Sequence, residues 1–326
     1  MHFANLQFTL FAATCKIMLK HISVMLNEVV NVLGIGKGGL YLDGTFGGGG
    51  HTRAILEADS QAHVVGMDCD MAAVERAERV KSDYPERFTF YRKNFAAVET
   101  LNEAGFSGAI FDLGVSSFQL DTAERGFSFR KDAPLDMRMD TSCGQSAADF
   151  LESASVEELT RAVRDYGEER RWRAVVAAII EARGSGKLQH TSSFATLIES
   201  KIGLSYRQQK IHAATKTFQG VRIAVNREIE SIERCLPAVF KKLSAGGILA
   251  VISFHSLEDR PVKRLFKRLS GQPEHRNDRS LQDERVQQAQ VITRKPLTPS
   301  PTEVNNNPRS RSAKLRVLRK LPFENT

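Results

Sequence analysis

The sequence predicts an α/β fold in which a doubly wound, mostly parallel sheet is interrupted by an inserted helical subdomain. Three features of the 326-residue chain carry that expectation. The string YLDGTFGGGGH, Tyr41 to His51, is a short apolar run that ends in a carboxylate and meets glycines at Gly44, Gly47, Gly48, Gly49 and Gly50. Apolar runs then alternate with helical stretches as far as Gln119, the rhythm of strands and crossover helices. Beyond it the rhythm stops, and residues 146–210 read as helices with no strand between them.

Taken in order, the strands are expected at 40–43, 62–68, 88–91, 109–113, 248–254, 290–294 and 314–318, with early helices at 52–58, 71–82 and 95–103. Apolar residues at Phe218, Val221, Val225, Ile229, Ile232, Leu236, Val239 and Leu243 recur in steps of three and four, which predicts one long helix with a buried stripe. Pro237 lies inside it and is expected to kink or divide it, because its ring removes a hydrogen bond to the preceding turn. Residues 270–288 carry too few apolar groups to pack and are expected to form a mobile loop. The resulting organisation is an N-terminal extension at 1–20, a main domain at 21–120 plus 212–326, and an inserted helical subdomain at 121–211.

Size and composition bound the function. The chain is long enough to bury a full core. Its formal charge of +8 suits a polyanionic partner without demanding one. Cys15, Cys69, Cys143 and Cys235 are widely spaced and form no C-x-x-C pair, so neither a metal site nor a disulfide framework is suggested, and a reduced cytoplasm is the expected home. Residues 1–17 are apolar but have no basic residue before Lys16, unlike a secretory signal; they read as an upstream start or a disordered tail before Met18. No apolar run is long enough to span a bilayer.

The glycine spacing discriminates among cofactors. No register of Gly44 to Arg53 supplies the G-x-G-x-x-G of a dinucleotide site, and no Walker lysine follows. What fits is D-x-x-x-G-x-G, Asp43 through Gly47 and Gly49, the loop shape of S-adenosylmethionine enzymes, whose cofactor has no pyrophosphate to cradle. Asp68 closes the second strand, twenty-five positions beyond Asp43, where a carboxylate can accept from both hydroxyls of a ribose. Asp70 is a competitor with an ordinary alternative as a helix N-cap. Phe95, after the third strand, can pack on an adenine or simply fill the core. Asp112 ends the fourth strand in IFDLGVSSFQL, beside the expected reactive end of the cofactor, where a sulfonium cation favours it. His255 in ISFHSLEDR stands at the mouth of the fifth strand, able to orient a substrate, to act as a base, or to cap the next helix at Glu258 and Asp259.

Basic residues supply candidate contacts to a polyanion. Tyr166 and Trp172 flank Arg170 and Arg171, with Arg173 just beyond, a segment that reads equally as an RNA-facing surface or as the wet face of amphipathic helices. Lys263, Arg264, Lys267 and Arg268 make a basic helix face. Arg309, Arg311, Lys314, Arg316, Arg319 and Lys320 make a basic C-terminal segment.

Eight strings together resemble one family, the ribosomal RNA small subunit methyltransferases H, also called MraW or RsmH. They are DGTFGGGGH at Asp43, DLGVSSFQLD at Asp112, ERGFSF at Glu124, PLDMRMD at Pro134, YGEER at Tyr166, ATKTFQGVRIAVN at Ala214, ISFHSLEDR at Ile252 and NPRSRSAKLR at Asn307. The likeness runs from His21 to the end of the chain, in order. It implies a class I, Rossmann-like methyltransferase sheet with an inserted helical subdomain for substrate recognition. The implied activity is transfer of a methyl group from S-adenosylmethionine to N4 of a cytidine in the decoding region of bacterial 16S ribosomal RNA, within the small subunit. The cofactor contacts it implies are Gly49, Gly50, His51, Asp68, Phe95, Asp112 and Gln119. Phe118 departs from the family, which often has proline there, and so bears on the loop that carries Gln119.

The chemistry gives that resemblance independent sense. The N4 lone pair of cytosine is delocalised into the ring, so an enzyme must align it and stabilise the charge that moves to nitrogen. Asp112 is the first candidate for that catalytic work and His255 the second. The aromatic D/N-P-P-Y/F string of many amino-group methyltransferases is replaced by DLGV, and Phe127 or Phe129 is the candidate substitute. Two other readings stay open: methylation of DNA or a small amine in the same fold, and an RNA-binding assembly factor that keeps the cofactor as a structural ligand. The oligomeric state, a homodimer included, is not legible.

Overall fold

A computed structural model describes residues 23–206, 211–275, 278 and 285–322. The expected tail at 1–17 lies outside these residues, as does part of the polar loop at 270–288. The strands are β1 (Gly39–Asp43), β2 (Ala62–Asp68), β3 (Phe88–Arg92), β4 (Phe106–Asp112), β5 (Leu243–Ser253), β6 (Ala289–Val291) and β7 (Lys314–Lys320). They form one sheet in the order β3-β2-β1-β4-β5-β7-β6. The first five strands are mutually parallel; β7 runs antiparallel to β5, and β6 antiparallel to β7. The chain winds outward from β1 through β2 to β3 and returns to the other side of β1 as β4. Strand order therefore reverses between β1 and β4, and a crevice opens above their carboxyl ends.

Alternation along the strands builds two cores. Ile110, Ile248, Ala250 and Ile252 face one side, where α1 (Leu26–Leu33), α2 (Gly50–Ala58) and α3 (Met71–Asp83) lie. Phe111, Leu249 and Val251 face the other. Each of these Ile, Leu, Val and Phe side chains contributes about 1.5–3 kcal/mol when withdrawn from water.

A short helix, α4 (Ser117–Asp121), leads out of the sheet into the inserted helices α5 (Ala147–Ser153), α6 (Val156–Thr160), α7 (Trp172–Ala182), α8 (Thr191–Ile202) and α9 (Ala214–Asn226). These helices build a third core around Leu151, Val163, Ile179, Phe194, Ile198 and Val221. The chain then returns to the sheet through α10 (Glu228–Lys242), with α11 (Ser256–Leu269) beside it and α12 (Pro301–Asn306) near the end. No helix among the described residues is long and apolar enough to cross a membrane.

The single long helix expected from the Phe218-to-Leu243 stripe is two helices, and the break falls at Arg227 rather than Pro237. Arg227 has a left-handed backbone (φ 49°), and its N–H closes α9 on Ala224 O. Asn226 reaches sideways to donate to Met137 O and accept from Met139 N (2.8 and 2.7 Å). Pro237 lies within α10. The periodicity persists because both helices bury one stripe, but Phe218 and Val221 enter the inserted core while Ile232 and Val239 enter the sheet core. The inserted core thus reaches past residue 211 into α9. Two smaller expectations shift as well. Residues 95–103 shorten to a 3₁₀ turn, Phe95–Thr100, capped by Asn94. The strand at 290–294 ends at Val291, because Thr293 turns its hydroxyl to accept from Val317 N.

The YGEER and ATKTFQGVRIAVN strings meet through bare backbone. Residues Arg161–Tyr166 form a π-turn, and a Cβ on Gly220 of α9 would stand 2.0 Å from Ala162 O and 2.7 Å from Gly167 N. Both neighbours are main chain and cannot give cheaply. Gly220→Ala is expected to destabilise the protein by about 2–4 kcal/mol, toward the upper end of overpacking costs. Chemical denaturation checks it, and an unchanged midpoint would show that the two segments are not so tightly apposed.

Candidate active site

Asp43, Asp68, Asp112 and Ser253 end β1, β2, β4 and β5, and a cavity of about 300 Å³ opens above them. Its wall includes six of the eight residues singled out from sequence: His51, Asp68, Phe95, Asp112, Gln119 and His255. Gly49 and Gly50 do not line it. A Cβ on Gly49 would meet the Phe46 ring at 2.7 Å, and one on Gly50 would meet Ser23 Oγ at 1.9 Å, so both glycines make room for the protein's own packing. Gly44, Gly47 and Gly48 form the glycine wall instead.

The glycine loop is tied to the end of β2. Phe46 N donates to Met67 O, and Gly47 N donates to Asp68 Oδ2 at 2.8 Å. Asp68 Oδ1 accepts from Asp70 N at 2.8 Å. Each carboxylate oxygen of Asp68 keeps a second lone pair, the requirement for receiving two hydroxyls. Burial pushes Asp68 up to about 6, against the pull of those two backbone donors. Asp70 takes the N-cap role at Ala72 N, and its other oxygen accepts from Gln119 Nε2 (2.9 Å) and Arg125 (2.7 Å). Gln119 also closes a capping box with Ser116, so Phe118 does not displace it. The Phe118 ring instead lies under the Arg76 guanidinium, 4.3 Å away, while Arg76 Nε donates to Gly47 O.

Asp43 accepts from Thr52 Oγ1 at 2.7 Å and from Thr45 N at 3.2 Å, and burial still raises it to about 6. Thr45 Oγ1 accepts from Asp112 N at 2.6 Å. The Asp112 side chain differs from its neighbours, since its Oδ1 is buried with no hydrogen-bond partner among the described residues. Burial, followed by the negative charges of Asp43 and Glu258, pushes its carboxyl well above the usual range. A carboxylate so placed is held at a cost that a donor or a cation in the cavity would relieve.

His51 is buried, with Nε2 3.1 Å from Val24 O. A carbonyl only accepts, so Nε2 carries the proton and Nδ1 is an acceptor. Burial lowers His51 to about 4, which keeps the ring neutral at pH 7. Phe95 packs edge-to-face on Phe111, with centroids 6.0 Å apart.

His255 takes the capping role foreseen as its structural alternative. Its Nδ1 accepts from Glu258 N at 3.4 Å, and its Nε2 stands 3.0 Å from Glu258 Oε1 and 3.4 Å from Arg222 Nη2. Arg222 in turn grips Glu228 with two hydrogen bonds (2.8 and 2.9 Å). Glu228, His255 and Glu258 have the composition of a metal site, but the cation among them is a guanidinium. Burial works against ionising Glu258, yet His255 and Arg222 hold it below the ordinary range.

Neither Phe127 nor Phe129 reaches the cavity. Phe127 belongs to the inserted core, and Phe129 packs on His212 and Phe218. Cavity residues not selected from sequence include Thr45, Met139, Arg222, Glu258, Asn307 and Arg309. All six sit inside strings already noted, Thr45 in DGTFGGGGH, Met139 in PLDMRMD, Arg222 in ATKTFQGVRIAVN, Glu258 in ISFHSLEDR, and Asn307 and Arg309 in NPRSRSAKLR. Arg309, on the cavity wall, makes a two-point ion pair with Asp121.

A sequence profile of the MraW methylase family matches residues 18–321. The chain belongs to the MraW methylase family. Among its relatives is the "Ribosomal RNA small subunit methyltransferase H" of Cyanothece sp., 46% identical over 301 residues, covering 92% of this chain and 95% of that protein. Proteins of the same name from Geotalea uraniireducens and Rickettsia typhi are each 44% identical, over 307 and 305 residues, and each alignment covers 92% of this chain and 98% of the relative. The family member described here is a methyltransferase that uses S-adenosylmethionine. The cavity fits that donor: glycines let it approach the main chain, Asp68 has lone pairs for hydroxyls, Phe95 offers a ring, and the unsatisfied Asp112 suits a cation.

Proposed function

We propose that this protein methylates N4 of a cytidine in the decoding region of bacterial 16S ribosomal RNA, acting in the cytoplasm on the small ribosomal subunit. The unspent Oδ1 of Asp112 carries this reading. When bound, S-adenosylmethionine supplies a methyl carbon on a sulfonium centre. Asp112 Oδ1 accepts a hydrogen bond from the exocyclic amine, which orients the nitrogen and raises electron density on its poorly nucleophilic lone pair. As the N–C bond forms, the methyl carbon would part from the sulfonium sulfur, which would leave as a neutral thioether; the nitrogen becomes acidic, and the same oxygen takes the released proton. A carboxyl held above its usual range is suited to keep it. Asp68 holds the ribose of the donor and Phe95 its adenine. His51 and Gln119 complete that wall, while Gly49 and Gly50 serve it indirectly by letting Phe46 and Ser23 pack.

His255 is assigned a positioning role, because both of its ring nitrogens already face partners of its own helix start and Arg222. The inserted helices act as the clamp for a base drawn out of its stack. Relatives named for small-subunit ribosomal RNA, at 44–46% identity over nearly their whole length, support the choice of acceptor. The test is tritiated methyl transfer to unmethylated small-subunit particles, free RNA and DNA, followed by nucleoside mass mapping. N4-methylcytidine at a single decoding-region position is expected. Label on DNA alone, or on a ring carbon of the base, would overturn the proposal.

A further inference from the structure

We infer that the groove between the π-turn of the inserted subdomain and the start of α11 is a second RNA subsite, which grips the phosphodiester backbone beside the target nucleotide. This rests on the RNA reading above. The groove measures about 620 Å³ and adjoins the catalytic cavity across one turn of chain: His255 lines the cavity and Leu257 the groove. Ser256, between them, donates to Glu168 Oε1 at 3.1 Å and so joins the two walls. A strand whose target base enters the cavity has its neighbouring backbone within reach of this groove.

Its charges balance by count, Arg164, Arg170 and Arg260 against Asp165, Glu168 and Glu169, so bulk potential does not decide the partner. What decides is which groups are already spent. Asp165 is engaged by both arms of Arg164 (2.7 and 3.0 Å). Buried Glu169 accepts from Tyr206 Oη and from Arg171 N. Arg170 and Arg260 are exposed and enter no ion pair among the described residues, leaving two planar forks of donors, the geometry that recognises phosphate. Arg173 is not in the groove wall, but it is laid on the lining Trp172 indole 4.4 Å from its ring centroid, which orders a further guanidinium beside the groove.

The loop that presents Arg170 is held in costly backbone. It runs from the π-turn at Arg161–Tyr166 through Glu168 at φ 50°, a conformation that persists only where its surroundings over-determine it. The acceptor proposed for the cavity is a polyanion, and unspent arginine forks one turn away match its backbone better than they match the mixed surface of a protein.

The test compares wild type with the double variants Arg170→Ala/Arg260→Ala and Arg170→Lys/Arg260→Lys. Fluorescence anisotropy measures binding to a labelled single-stranded decoding-region RNA, and to unmethylated small-subunit particles, across a salt series. The alanine pair is expected to weaken RNA binding roughly tenfold and to flatten the plot of log affinity against log salt by about 0.7 per lost phosphate contact. Lysines are expected to restore most of the slope. Binding of S-adenosylhomocysteine and the melting temperature serve as controls and are expected to stay at wild-type values. An unchanged affinity and salt slope in the alanine pair would overturn the subsite. So would weaker binding to particles with naked RNA unaffected, which would make this a protein-facing surface. Wild type that binds RNA in this groove but yields no N4-methylcytidine would sink the catalytic reading alone.

Discussion

Asp112→Asn is expected to lower kcat by about 10²–10³-fold while leaving the affinity for S-adenosylhomocysteine within a few-fold of wild type. Asparagine has nearly the same shape, but its oxygen cannot carry the negative charge or take the proton that Asp112 Oδ1 is proposed to receive. The same change is expected to raise the melting temperature at neutral pH. Burial and the charges of Asp43 and Glu258 raise the folded-state pKa of Asp112, so its ionisation costs stability. The sign follows by linkage: whatever stability this carboxyl contributes is complete below the ordinary carboxylate pKa and is lost as pH rises through the raised value. The advantage of the asparagine variant should therefore vanish below about pH 4 and grow above it. In wild type, kcat should climb with pH as the carboxyl ionises, and the variant should lack that limb. A variant that transfers methyl groups at the normal rate would remove Asp112 from the mechanism.

Asp68→Ala is expected to weaken S-adenosylhomocysteine binding by roughly 10²-fold, the scale of about 2–3 kcal/mol for charge-assisted hydrogen bonds to two hydroxyls. It also strips Gly47 N and Asp70 N of their acceptor, which frees the glycine loop from β2. The KM for the donor should rise far more than kcat at saturation falls. Asp68→Asn separates the two losses, since its single oxygen can keep one backbone donor while the charge is gone, and an intermediate affinity is expected. Calorimetry reads both variants directly. Wild-type heat and affinity from Asp68→Ala would place the ribose elsewhere.

The strand ends were legible because short-range patterning determines them. Asp43, Asp68 and Asp112 each follow an apolar run, and parallel strands buried on both faces are written as such runs. The glycine loop was legible as a class of structure but not in detail. A row of glycines announces that Cβ atoms are unwelcome without saying what excludes them; at Gly49 and Gly50 it is Phe46 and Ser23, not the cavity. The stripe from Phe218 to Leu243 misled for a related reason. Periodicity records that a face is buried and is blind to which core buries it, so the change of core at Arg227 left no mark on the pattern. His255 carried three readings that sequence could not separate, because the choice depends on Arg222, thirty-three positions away.

What the sequence by itself determined is the order of strands and helices, the insertion after the fourth strand, the family, and the set of carboxylates at the strand ends. These follow from local periodicity and from motifs whose residues are neighbours in the chain. Only the tertiary structure decided which polar groups have something left to give. Among the described residues, Asp112 keeps an oxygen without a partner, His255 has both nitrogens engaged, and Arg170 and Arg260 enter no ion pair. The physical reason is that hydrogen-bond satisfaction is an accounting across contacts, and the closing partners come from distant segments, as Thr45 does for Asp112 N and Glu303 for Met25 N.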